Sequence, residues 1–174
     1  MPEVTLRPAS EAEYHLFFRG YQSDPLIDSH PFVYSREMVS RSYQYNYSGI
    51  QKGYAHYGIF CGDQMIGCFQ LKRMNFEKKS CEFGIILQND SLKGKGYGTQ
   101  AVILGICEAK DHFKIRYLIA DTMSINFAMR RIFDKLGFDL TETVPNAYQL
   151  SDGSMADRLV YQKDLGGSTE HAGE

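Results

Sequence analysis

The sequence predicts an α/β (α+β) fold, a single domain with about seven strands and four helices. Three observations carry that prediction. An apolar run, Phe83-Gly84-Ile85-Ile86-Leu87, leads through a short loop into the glycine-rich turn Lys93-Gly94-Lys95-Gly96-Tyr97-Gly98 and then into an apolar helix. Two strand-like runs flank Gly62-Asp63, a hairpin signal. A helical pattern over 125–136 stops at Gly137, placed as a C′ glycine.

The elements follow in order. Val4-Thr-Leu-Arg-Pro8 alternates and ends at proline, so it reads as a first strand. Ser10-Glu-Ala-Glu13 is a capping box opening a helix to Tyr21. Asp24-Pro25 and His30-Pro31 mark turns across 23–31, and Ser35 can cap a second helix running to Tyr47. Strands are expected at Ala55–Cys61 and 64–74, with a turn at 75–79 and a fourth strand at Ser80–Leu87. A helix from Gly98 to Lys110, a buried strand at 117–121 and a helix at 125–136 come next. Two last strands fit 139–144 and 155–163, with a loop through Pro145-Asn146 between them. Residues 1–165 make one domain. The polar, glycine-rich tail 166–174 is expected to be flexible.

Composition narrows the function. A length of 174 residues is enough to bury a sizeable core, and a net charge of −2 gives no general attraction to nucleic acid or an anionic membrane. The pairs Lys72-Arg73 and Lys78-Lys79 read as solvated hairpin charge. No apolar run approaches the ~20 residues of a membrane span, and Met-Pro-Glu-Val-Thr has no signal-peptide character, so a cytoplasmic protein is expected. Cys61, Cys68, Cys81 and Cys107 lack metal-ligand spacing and read as reduced core residues; no metal is expected.

The glycine-rich turn is the candidate binding site. Backbone N–H groups at a helix N-terminus, aided by the dipole, favour an anion. Gly94, Gly96 and Gly98 let the backbone approach it, and Lys93 and Lys95 add positive charge. The turn does not fit G-x-x-x-x-G-K-[ST]. Against G-x-G-x-x-G the third glycine falls at Thr99. Asp121 lies near the expected distance downstream, so a dinucleotide loop stands as a weaker alternative.

A third template fits better. K-G-K-G-Y-G after a strand resembles the [RQ]-x-x-G-x-[GA] loop of the GNAT N-acetyltransferases, with Lys93 at the Arg/Gln position and Gly96 and Gly98 at the small positions. Ile115 to Asp121, followed by Asn126 through Gly137-Phe138, resembles the family's fifth strand and fourth helix. The likeness spans 4–165.

The resemblance implies a mixed, mostly antiparallel sheet splayed between strands 4 and 5, with acetyl-CoA in the gap as cosubstrate. It places the pyrophosphate on Lys93, Gly94, Lys95, Gly96, Tyr97, Gly98 and Thr99. Backbone groups of Ile85, Ile86 and Leu87 would hold the pantetheine arm and acetyl carbonyl, though one extra residue in 88–92 blurs which group meets the carbonyl. Asn126 would bond the arm, or simply cap the helix.

Glu82 on strand 4 is the candidate base; against that role, it could face solvent or pair with Lys72 or Arg73. Many members carry a tyrosine acid where this chain has Phe133, a cofactor-lining position without a proton to give. Tyr148, Tyr161 or solvent must then serve. The acceptor side is expected within 21–47, where Asp24, Asp28 and Glu37 stand among Phe32, Tyr34, Tyr43 and Tyr45. Carboxylates among aromatics suit a cationic amine; the plainer reading is a polar loop over an aromatic core.

The runs G-K-G-Y-G-T and D-K-L-G-F, with Asp152-Gly153 and Tyr161, look like the branch holding ribosomal-protein N-terminal and spermidine acetyltransferases. The implied acceptor is a primary amine of a small molecule or a peptide N-terminus. The family also allows a homodimer, which nothing in the residues demands. Two alternatives remain open here: a coenzyme-A-binding sensor or partner-binding module without transfer activity, and a nucleotide-binding domain.

Overall fold

The computed structural model describes residues 3–28, 30–49 and 52–166. Local chemistry sets the first elements. The Ser10 hydroxyl accepts the Glu13 amide at 3.2 Å, and the Glu13 carboxylate accepts the Ser10 amide at 2.9 Å. This reciprocal box starts α1 (Glu11–Arg19). Ser35 caps α2 (Arg36–Tyr47) through the Met38 amide. The remaining elements are β1 (Val4–Arg7), β2 (Ala55–Cys61), β3 (Gln64–Asn75), β4 (Ser80–Leu87), α3 (Tyr97–Cys107), β5 (Tyr117–Met123), α4 (Phe127–Lys135), β6 (Asp139–Gln149) and β7 (Met155–Asp164).

The seven strands form one sheet in the order β1-β2-β3-β4-β5-β7-β6. All neighbours are antiparallel except β4 and β5. That parallel pair is short. Ser80, Cys81 and Glu82 lie opposite Tyr117, Leu118 and Ile119, and the pairing then ends. β4 stays on β3 through Leu87, while β5 stays on β7 through Met123. The two halves of the sheet therefore part like a V beyond Glu82. This is the splayed, mostly antiparallel sheet with four helices that the sequence predicts.

Apolar side chains cover both faces. Phe69, Leu71, Phe83, Leu118, Phe133 and Phe138 pack with α3 and α4 on one face. Tyr14, Phe17, Val39, Phe60 and Met65 pack beneath α1 and α2 on the other. Gly105 lets α3 lie directly on β3, since a Cβ there would come within 2.1 Å of the Phe69 ring.

Three expectations are revised. The chain does not loop at Pro145-Asn146; β6 continues through both. Proline survives there because β6 is the edge strand and its register with β7 shifts between Val144 and Tyr148. Asn146 takes a left-handed φ of 50° and donates its amide to Asp157 at 2.9 Å. The third helix begins at Tyr97, one residue early, and ends in a wider turn at 108–112. Cys107 is exposed, unlike a core cysteine, because it ends α3 on the solvent side. The expected flexible tail lies, apart from Gly166, outside the described residues.

Candidate active site

The opening of the V is a cavity of about 310 Å³. Gly84, Ile85 and Ile86 form one wall, and 120–123 of β5 form the other. Asn126, Met129 and Phe133 of α4 close one side; Leu26 and Ile27, from the α1–α2 connection, and Tyr148 of β6 close the mouth. Among the described residues no strand pairs with β4 on this side beyond Glu82. Backbone polar groups of its outer edge are thus available to a ligand, as unpaired buried groups demand.

The glycine turn stands at the end of β4. Gly94 and Gly96 have φ of 72° and 84°, a region costly for residues with a Cβ. Gly96 is the N-cap of α3 and supplies no side-chain cap. The first helical bond runs from the Gln100 amide to the Gly96 carbonyl at 3.0 Å. The amides of Tyr97, Gly98 and Thr99 precede that ladder and point out of the helix start. At Gly98 a Cβ would sit 3.3 Å from Ile132 Cδ1, so glycine also lets α3 approach α4.

Lys93 is occupied. Its Nζ lies 2.6 Å from Asp24 Oδ2 and 2.8 Å from Asp90 Oδ1. Partial burial works against its charge, but hydrogen bonds to Asp24 and Asp90 outweigh burial and hold the ammonium above the ordinary lysine range. This pair ties the glycine turn to the α1–α2 connection across 69 residues of sequence. Lys95 is exposed.

Asn126 caps α4, accepting the Met129 amide at 3.1 Å, and also lines the cavity. Phe133 is fully buried and stacks on Tyr161 with ring centres 4.4 Å apart. Tyr161 is therefore a core residue, whereas Tyr148 reaches the cavity wall. Burial, with the Asp121 charge second, raises the Tyr148 hydroxyl above its usual range. Asp121 itself is ion-paired to Arg158 at 2.7 Å.

Glu82 stands at the closed end of the V, opposite Lys72 on β3 and Ile119 on β5. Its carboxylate oxygen Oε2 is ion-paired to Arg73, and its side chain is 29% exposed. It shares a sheet face with Gly84, two positions along the strand.

The carboxylates expected at the acceptor side serve the loop itself. Asp24 is taken by Lys93, while Asp28 accepts the Tyr21 hydroxyl at 2.7 Å and the Asp24 amide at 2.9 Å. Glu37 pairs with Arg41 on the solvent face of α2. Phe32 packs on Phe18 and Tyr21, Tyr34 bonds His15 at 2.8 Å, and Tyr45 is exposed. The plainer reading, a polar loop over aromatic packing, describes this segment.

Sequence reasoning missed a second cavity, of about 190 Å³, between α1, α2 and the sheet. It shares Gln70, Gly84, Ile85 and Ile86 with the first. His56, Gln70 and Gly84 lie side by side on β2, β3 and β4. The signal was present: His56 and Gln70 are polar interruptions in runs that otherwise bury their faces. Burial lowers the His56 pKa and pushes the Cys68 thiol up to about 12.

The splayed sheet, with an uncapped helix start after β4, is the fold that the sequence resemblance implies. The family comparison agrees: the acetyltransferase (GNAT) domain profile matches residues 3–139, and the chain belongs to that family. Among curated proteins none matches. Solved structures share the fold. A spermidine N-acetyltransferase SpeG chimera from Vibrio cholerae and hSSAT has a TM-score of 0.82 at 14% identity, covering 94% of this chain and 96% of that one. RimL, a ribosomal L7/L12 alpha-N-protein acetyltransferase in complex with coenzyme A, has a TM-score of 0.77 at 21% identity, covering 94% and 95%. The microcin C7 self-immunity acetyltransferase MccE, in complex with acetyl-CoA and AMP, has a TM-score of 0.74 at 20%, covering 94% and 93%.

Proposed function

We propose that this chain transfers an acetyl group from acetyl-CoA to a primary amine, on a small molecule or at a peptide N-terminus. The observation that carries the reading is the unpaired outer edge of β4 beside the uncapped start of α3. The residues fit the cosubstrate: a left-handed glycine turn and free helix-start amides suit a pyrophosphate, and a strand edge suits an amide-bearing arm.

When bound, acetyl-CoA supplies an activated thioester. The chain does the rest. The amides of Tyr97, Gly98 and Thr99 take the pyrophosphate, with Lys93, Gly94, Lys95 and Gly96 shaping the turn around it. Edge groups of Ile85, Ile86 and Leu87 align the arm and polarise the carbonyl. Asn126 and Phe133 line the arm's path. The amine's proton passes to Glu82 through water; Arg73 holds Oε2 and leaves Oε1 for that role. Phe133 cannot protonate the leaving thiolate, so Tyr148 or solvent does.

No helix among the described residues is long and apolar enough to cross a membrane, and we place the protein in the cytoplasm. A homodimer is proposed through β6, an edge strand that leaves Leu140 52% exposed.

The buried Phe133 favours one other reading, coenzyme-A binding without transfer. Melting-temperature shifts with acetyl-CoA, coenzyme A, NAD and ATP, followed by thiol release with added amine, separate the readings. A shift with acetyl-CoA alone of the nucleotide-bearing ligands other than coenzyme A, plus thiol release, is expected. No shift at millimolar acetyl-CoA refutes the assignment. A shift without thiol release across an amine panel favours the binding module.

A further inference from the structure

We propose that the second cavity is the acceptor's own pocket, and that it takes an uncharged aromatic ring carried two or three bonds from the amine, with the amine left in the β4–β5 opening. This rests on the acetyl-transfer reading and adds the class of acceptor.

Size comes first. A cavity of about 190 Å³ holds one ring and not two; an apolar cavity of about 150 Å³ in another protein accommodates benzene. The walls are aromatic. Tyr14 contacts Phe18 at 4.7 Å between ring centres and Tyr47 edge-on at 6.1 Å. These rings already touch one another, so an entering ring lies against the wall they form, where tilted and edge-to-face partners are the arrangement aromatic groups prefer.

Charge argues the same way. Among the described residues no carboxylate lines this cavity; its polar groups belong to His56, Asn46 and Gln70, among tyrosine and cysteine side chains. Of the nearby acids, Asp121 is paired to Arg158 and Asp24 to Lys93, and Glu82, whose Oε2 is held by Arg73, lines neither cavity. A second cation, as on a polyamine, would enter unpaired, and a buried unpaired charge is costly. A hydroxyl or ring nitrogen would instead find the imidazole of His56, whose burial favours its neutral form.

The passage between the cavities is Gly84. A Cβ there would lie 3.0 Å from Gln70 Nε2, so a side chain in place of Gly84 would narrow the passage. With strands ~4.8 Å apart, His56 stands about 10 Å across the sheet from β4. That span matches an arylalkylamine lying across the row His56–Gln70–Gly84, amine at β4 and ring toward β2.

The test begins without acetyl-CoA. Tyramine, n-hexylamine and spermidine are titrated by ligand-observed NMR against the wild type, Cys68→Leu, which fills the cavity from β3, and His56→Ala, with melting temperatures as fold controls. Tyramine should bind about tenfold more tightly than the other two amines, and lose about tenfold in Cys68→Leu and about fivefold in His56→Ala. No tyramine binding, unchanged binding in both variants, or tighter spermidine binding overturns the pocket. Thiol release is then followed with tyramine and with the peptide Phe-Ala-Ala. Turnover of either above n-hexylamine supports the acceptor role and says whether a free amine or a peptide N-terminus carries the ring. Ring binding without thiol release overturns the acceptor role. The acetyl-transfer reading itself fails if acetyl-CoA leaves the melting temperature unchanged, or if no amine of the wider panel releases thiol.

Discussion

Substituting Glu82 by Gln separates chemistry from architecture at the closed end of the V. Glu82 is ion-paired to Arg73, with side chains 29% and 61% exposed. A pair that open to water contributes at most about 1 kcal/mol. In a domain of this length that is a fall of about 2–4 °C in Tm. The glutamine keeps shape and hydrogen bonding but cannot take a proton. If Glu82 receives the amine's proton, kcat at neutral pH falls by about 10² or more. Thiol release under saturating acetyl-CoA, with Tm measured on the same samples, reads both quantities. Arg73→Ala is the control: it removes the same ion pair and should reproduce the small Tm change without the large loss in kcat. A loss under threefold in Glu82→Gln refutes the base assignment. Equal losses in both variants refute it too, since the pair and not the carboxylate would then matter.

Gly105→Ala should destabilise the protein, because Gly105 is buried where α3 lies on β3. The new methyl would fall 2.1 Å from the buried Phe69 ring. Overpacking at the upper end of about 1–3 kcal/mol, less about 1 kcal/mol of helix propensity, leaves about 2 kcal/mol, or a Tm about 4–8 °C lower; an unchanged Tm contradicts the packing of α3 on β3. Gly96→Ala places a Cβ at φ 84°, costing about 1–2 kcal/mol. It should also raise KM for acetyl-CoA about tenfold by disturbing the α3 amides; an unchanged KM moves the pyrophosphate elsewhere. His56 gives a pH dependence. Burial lowers its folded pKa, so the unfolded chain binds the proton more readily. Stability contributed by neutral His56 is thus present above the unfolded value of about 6.5 and is lost as pH falls toward the folded one. Melting curves from pH 7.5 to 5.5 should fall more steeply for the wild type than for His56→Gln; parallel curves would mean that His56 is not desolvated.

Much of this protein is written locally. Ser10 and Glu13 are three residues apart, Gly62-Asp63 joins adjacent strands, and Gly94 and Gly96 need only their own backbone freedom. Caps, hairpins and glycine turns depend on neighbours in sequence, so the sequence by itself determined the element order, the glycine turn and the family. Pro145 misled because a proline reads as a break wherever it stands, and only the strand order reveals that β6 is an edge. The rest was decided by tertiary structure. Lys93 meets Asp24 across 69 residues, and His56 joins Gln70 and Gly84, only once register aligns strands and loops; the pairing of Glu82 with Arg73, nine residues apart, was already among the sequence alternatives. Side-chain partners and cavities are set by which segments face one another, and no local pattern contains that information.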